Sequence, residues 1–160
     1  MLIKISDDRI TVLIRHPDFR SVECDTPRRV IKRKPPRLLD RIRQALAANE
    51  ACISVITRGE LLYGLALVPH AVSLARAVHA FLDTAPCLDW TGAAADHYAI
   101  LRAEQKNSGN PIGNMDTLIA AHALADGLIL VTNNGRHFER IPELRIENWT
   151  PSALDSDIER

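Results

Sequence analysis

At 160 residues, with 20 Lys+Arg balancing 20 Asp+Glu and 46% of residues hydrophobic, the chain has the size of one domain with a real core and is too short for two independent domains and a linker. Zero net charge excludes a globally basic nucleic-acid protein and a highly charged disordered tail. The zero hides a division, because residues 1–43 hold 12 bases against 6 acids while residues 44–160 hold 8 against 14.

The first eight residues, Met1 to Asp8, become charged too early for a secretory signal. Ile10, Val12 and Ile14 then alternate with Thr11, Leu13 and Arg15, the pattern of an edge strand, and residues 1–20 read as an extension without an assigned role. Ser21-Val22-Glu23-Cys24 is a candidate strand that leads into Asp25, and Thr26-Pro27 fits an N-cap followed by proline at the first helical position. The basic stretch from Arg28 to Arg37, which includes Arg33, suits either an RNA backbone or a solvated helix face ending in a Pro-rich turn.

Cys52-Ile53-Ser54-Val55-Ile56 is a β-branched, nearly apolar run that predicts a buried strand, and Thr57 after it predicts a helix cap. Ala71, Ala75, Val78 and Leu82 recur at helical spacing, as do Ala94, Tyr98 and Leu101. Cys87 to Trp90 is a weaker strand candidate between them. The Gly109-Asn110-Pro111 cluster breaks the chain before a helix opened by Gly113-Asn114-Met115-Asp116, and Leu128 to Thr132 is a second buried strand. Asn133-Asn134-Gly135 is a turn, Arg145 to Trp149 a last weak strand, and residues 151–160 a polar tail. Strands alternating with helices predict one α/β domain over residues 21–150 with a central, mainly parallel sheet flanked by helices.

Three widely spaced cysteines fit neither a disulfide framework nor a zinc knuckle, which points to a reducing cytoplasm. The longest stretch without formal charge, Leu61 to Ala75, is interrupted by Pro69 and His70, so no membrane span is expected. The six histidines show no H-x-x-x-H or H-x-x-E-H spacing.

In open α/β sheets the active site lies beyond the carboxyl ends of the strands. Asp25, Glu60 and Asn134 each follow a candidate strand, and Asp116 opens a helix. Three carboxylates converging on one cleft need a counter-ion, and hard oxygen donors select Mg²⁺ or Mn²⁺ over zinc. The implied chemistry is metal-assisted phosphodiester hydrolysis. Each residue also has a structural role open to it. Thr57-Arg58-Gly59-Glu60 fits a capping box, Asp116 suits a helix macrodipole, Asp25 and Asn134-Gly135 suit turns, and Trp90 and Trp149 suit a core.

Three stretches carry a family resemblance: Ile53-Ser54-Val55-Ile56-Thr57-Arg58-Gly59-Glu60-Leu61-Leu62-Tyr63-Gly64; Gly109 to Ala123, with Gly113-x-x-Asp116-x-x-Ile119-Ala120-Ala121; and Leu130 to Trp149, with Thr132-Asn133-Asn134-Gly135-Arg136-His137-Phe138. In their order and spacing, from roughly Val30 to Trp149, the chain resembles PIN-domain ribonucleases of the VapC type, the toxins of bacterial toxin–antitoxin pairs. The resemblance implies a PIN-like fold, RNA cleavage with Mg²⁺ or Mn²⁺, control by a cognate antitoxin, and self-association as a homodimer. By motif it implies Glu60 and Asp116 as metal ligands, Asp25 as the first acid of the set, and Asn134 where relatives carry Asp or Asn. Thr132 and Asn133 are then expected near substrate or water, with Arg28 and Arg33 on the RNA backbone. The front departs from the family pattern: about 20 residues precede it, the signature reads Asp25-Thr26-Pro27, and the step from Asp25 to Ile31 is about two residues short, roughly a 200° rotation of a helix. A second function is therefore open, a binding module that engages an antitoxin without catalysis. A small-ligand α/β protein is a third, against which stands the absence of a G-x-G-x-x-G or Walker loop.

Overall fold

Short apolar runs buried on both faces build the centre of the molecule, as expected of strands covered by helices on each side. The computed structural model describes residues 11–14 and 38–149. Their elements follow one another as β1 (Val12–Ile14), α1 (Leu38–Ala47), β2 (Ala51–Ser54), α2 (Val55–Leu67), α3 (Val72–Thr84), β3 (Cys87–Leu88), α4 (Gly92–Ser108), α5 (Asn114–Ala125), β4 (Ile129–Val131), α6 (Gly135–Phe138) and β5 (Arg145–Glu147). The strands form one sheet of five in the order β3-β2-β1-β4-β5. β2 pairs with β3 in parallel and β4 with β5 in parallel, while β1 runs antiparallel to both β2 and β4. Four strands therefore share one direction and the middle one opposes them, which is the mainly parallel α/β sheet expected, with one strand reversed.

The alternation along each strand sorts side chains between two cores. Leu13, Cys52 and Leu130 face one side, against Ile119, Ala120 and Ala123 of α5, Leu101 of α4 and Phe138 of α6. Val12, Ala51 and Val131 face the other, against Ile42 and Ala45 of α1 and Trp149. Ile53 continues that second side with Val78 and Leu82 of α3.

Two expectations change. The Val12–Ile14 run is the central strand, not an edge, with Leu13 opposite both Cys52 and Leu130 and only 1% exposed. Pairing on both sides decides this, since an edge strand leaves one row of backbone N–H and C=O groups unpaired. The strand read as Cys52 to Ile56 ends at Ser54, because the Ser54 hydroxyl accepts the Ile56 backbone N–H at 3.1 Å and caps α2 three residues before Thr57. Thr57 is thus a buried residue inside the helix and not its cap, which removes the capping-box role from Glu60.

Candidate active site at the carboxyl edge of the sheet

Because β1 opposes both β2 and β4, those two run the same way, and Ser54 and Val131 end on the same edge. α2 starts from that edge after β2, and the turn into α6 leaves it after β4. α5 runs back toward β4 and so begins there too. The topology gathers the first turn of α5, the start of α2 and the Thr132–His137 turn at one place.

Asp116 lies in that first turn of α5, where a carboxylate is favourable to the helix dipole. The backbone around it is fixed by Thr117, whose hydroxyl stands 3.1 Å from both the Gly113 carbonyl and Gln105 Oε1 of α4. Gly113 flanks the carboxylate, and a Cβ there would make an ordinary contact with Asp116 Oδ2 at 3.6 Å. Across from Asp116, Thr132 Oγ1 accepts the Asn134 N–H at 3.1 Å and closes the turn. Asn134 Nδ2 then stands 3.0 Å from His137 Nδ1, and that ring nitrogen is 3.6 Å from Asp116 Oδ2. Asp116, Asn134 and His137 thus meet. The Asp116 side chain is 11% exposed and that of His137 is 45% exposed, so the group opens to solvent through the imidazole.

A second polar contact ties the helices behind this group. His122 of α5 is wholly buried, and its Nδ1 is 2.8 Å from Ser54 Oγ. That hydroxyl already accepts from Ile56, so its own proton is available to donate to His122. The ring packs edge-on to Trp90 at 5.7 Å between centroids, and Nε2 lies 3.5 Å from Asp126 Oδ2. One hydroxyl therefore caps α2 and holds α5, the two helices that carry Glu60 and Asp116.

Of the residues expected from the sequence, Asp116 and Asn134 are brought together and Glu60 lies exposed on α2. Thr132 is 2% exposed and holds the turn with its hydroxyl, and Asn133 beside it is exposed. Asp25, Arg28 and Arg33 lie outside the described residues. His137 was missed because histidines were screened only for spacing to other ligands; its separation of three from Asn134, one helical turn, was the usable signal. Ser54 and His122 were missed because each sat inside an apolar run that read as pure core.

The Asp116 carboxylate is a hard oxygen donor of the kind that Mg²⁺ or Mn²⁺ takes. Among the described residues no three His, Cys, Asp or Glu stand together as a metal-holding group.

A family model described as PIN domain matches residues 31–144. The chain belongs to the PIN-domain family. Glu60, Asp116, Asn134 and His137 fall inside the match, and Asp25 precedes it. Ribonuclease VapC2 of Haemophilus influenzae is 42% identical over 120 residues, 75% of this chain and 89% of the relative. The tRNA(fMet)-specific endonuclease VapC of Salmonella typhimurium is 44% identical over 121 residues, 74% and 89% of the two chains. Among solved structures, DNA-bound VapBC from Salmonella typhimurium superposes with a TM-score of 0.65 at 40% identity, over 74% of this chain and 88% of that one. VapBC2 from Rickettsia felis, bound to a DNA fragment from its promoter, gives 0.64 at 35% identity, over 69% and 84%. These relatives place the chain among the VapC-type PIN domains.

Proposed function

We propose that this protein is a cytoplasmic, metal-dependent endoribonuclease toxin that hydrolyses RNA phosphodiester bonds and is held in check by a cognate antitoxin. The observation that carries this is the meeting of Asp116 with Asn134 and His137 at the sheet edge, inside a PIN-domain match whose relatives are named ribonucleases and endonucleases. Asp116 and Glu60 would hold Mg²⁺ or Mn²⁺, with the Asn134 amide oxygen completing the set and Asp25 the candidate for a further acid. When bound, the ion lowers the pKa of a water and neutralises charge that develops on the phosphate.

The chain's own groups do the positioning. The N-terminus of α5 turns its positive dipole end toward the edge where a phosphate would arrive. The Ser54–His122 contact fixes the angle between the two acid-bearing helices. Asn133 is exposed beside the site, and Arg28 and Arg33 would add phosphate contacts that weaken as salt rises. Tyr63, Leu67, Val68 and Val72 leave an exposed apolar face at the α2–α3 junction. A face of this kind suits an antitoxin or a second copy of the chain, and the solved VapBC neighbours support the first. A binding module without catalysis draws no support from relatives named for RNA cleavage.

RNA cleavage by wild type and Asp116→Asn, each with and without EDTA, tests the proposal. Activity in the wild type alone, and only without chelator, is the expected result; equal activity in all four would sink the metal mechanism.

A further inference from the structure

A cavity of about 530 Å³ lies between the last turns of α4 and the loop that leads into α5, lined by Arg102, Ala103, Gln105, Lys106, Gly109 and Pro111. Arg102 and Lys106 stand four apart on α4, so their cations share one face, where like charges repel unless an anion lies between them. Among the described residues neither forms an ion pair. Nor are they needed to end the helix. Ser108 Oγ donates to the Gln105 carbonyl at 3.3 Å, the Gly109 N–H to the Lys106 carbonyl at 3.4 Å, and Asn110 Nδ2 to the Ser108 carbonyl at 3.1 Å. Gln105, on the same face as the two cations, is only 8% exposed. Its Oε1 meets Thr117 Oγ1 at 3.1 Å, and its buried Nε2 has no hydrogen-bond partner among the described residues. A buried polar atom left unpaired carries a penalty that a bound ligand removes.

We infer that this cavity is a subsite for the RNA strand, in which Arg102 and Lys106 take a backbone phosphate and the Gln105 amide takes a ribose 2′-hydroxyl. The inference rests on reading the sheet edge as a ribonuclease centre and gives the strand a place beside it. A phosphate alone satisfies the two cations and leaves the amide. A ribose-phosphate satisfies all three, because a 2′-hydroxyl both accepts and donates and so meets an amide in either orientation. The volume lies within the range of about 300–1,000 Å³ usual for ligand sites, which suits a nucleotide unit better than a bare ion. The position fits too. α4 packs along α5, and Gln105 ties the cavity wall to Thr117, the residue after Asp116. Packed helices lie about 8–10 Å apart, so a strand passing Asp116 at the start of α5 reaches the cavity within a few nucleotides.

The probes are a short labelled single-stranded RNA and the DNA of the same sequence, with binding to the full chain read by fluorescence anisotropy in chelator and cleavage kinetics read in Mg²⁺. The double variant Arg102→Ala with Lys106→Ala should bind RNA on the order of tenfold more weakly at low salt. Its slope of log affinity against log salt should become shallower by about 0.7, the value for one phosphate on a single strand. In cleavage its KM should rise while kcat stays near wild type, since the lost contact is made equally before and during the reaction. Both side chains reach solvent, so the fold is kept, which an unchanged thermal midpoint confirms. Arg76→Ala, which removes an exposed cation of α3, should change neither affinity nor slope. Wild type should prefer RNA to DNA, and Gln105→Leu should narrow that ratio; an unchanged ratio overturns the hydroxyl contact. Equal losses in Arg76→Ala would show a diffuse field and overturn the subsite. If wild type cleaves RNA and the double variant keeps its affinity, slope and KM, the subsite is overturned and the ribonuclease stands. Wild type that neither binds nor cleaves RNA overturns both.

Discussion

The middle strand of the sheet and its carboxyl edge are built under opposite constraints. β1 is three apolar residues with a hydrogen-bonded neighbour on each side, and what it supplies is burial. A period of two reads the same in either direction, so an apolar run of this length fills the centre of the sheet whether it runs up or down. Thr132 to His137 has no such freedom, because Asp116, Asn134 and His137 meet only if each emerges at one edge and in one register. The reversal of β1 is tolerated by packing, and its consequence falls on chemistry. Thr11 and Val12 now stand at the carboxyl edge of β2 and β4, and Ile14 stands at the opposite edge. In an all-parallel sheet the carboxyl end of the central strand would lie beside the active site; here Ile14 lies at the opposite edge.

If β1 contributes burial, Leu13→Ala is the most damaging single change. It opens a cavity between Cys52, Leu130 and α5, and the expected loss is about 2–5 kcal/mol, measured by urea denaturation. A loss below about 1 kcal/mol would mean that β1 is dispensable and the sheet closes without it. The matching change at the edge is Asp116→Asn, isosteric and hydrogen-bonding, which should leave stability within about 1 kcal/mol while RNA cleavage falls on the order of a hundredfold, as when one pre-placed electrostatic group is lost. A hundredfold corresponds to about 2.7 kcal/mol of barrier. Stability failing at the centre and rate failing at the edge is the pattern that the comparison requires.

Ser54→Ala probes the join between the two regions, since Ser54 closes β2, caps α2 and holds His122. Losing the cap costs about 1 kcal/mol, and leaving the buried Nδ1 without a partner adds about as much again. Cleavage should fall with stability, because the change frees α2 against α5. His122→Gln, which can still meet the hydroxyl with an amide, should recover part of the loss seen in His122→Ala. Equal defects in the two His122 variants would reduce the contact to packing.

Most of the sheet was legible because its evidence is local and redundant. Ile53 and Leu130 lie in β-branched runs with turn residues after them, and Val78 and Leu82 repeat at the helical period. Asp116 was legible because Gly113 and the apolar run after it mark a helix start. The role of Val12 to Ile14 was not, since alternation tells which faces are apolar and says nothing of how many neighbours a strand will have. The start of α2 was misplaced for a similar reason: Ser54 and Thr57 are both competent caps, and what selects Ser54 is His122, a partner 68 residues away. His137 escaped because its meaning depends on Asp116, which sequence places 21 residues upstream and the fold places 3.6 Å away.

Thr132 separates the two kinds of region most finely, because it belongs to both. Its backbone N–H continues the sheet by donating to the Glu147 carbonyl at 2.9 Å, and its hydroxyl closes the turn that carries Asn134. Thr132→Val keeps the shape and the sheet bond and removes only the acceptor for the Asn134 N–H. That hydrogen bond is worth about 0.5–1.5 kcal/mol, and a destabilisation of that size should be measurable by thermal unfolding. With the turn loosened, Asn134 and His137 lose some of their placement, so kcat should fall a few-fold while KM for RNA stays near its wild-type value. If Thr132 touched RNA instead, the signs would exchange: stability would hold and KM would rise. The buried hydroxyl requires the first result, since a side chain enclosed by β4 and its turn can reach the substrate only through the residues it positions.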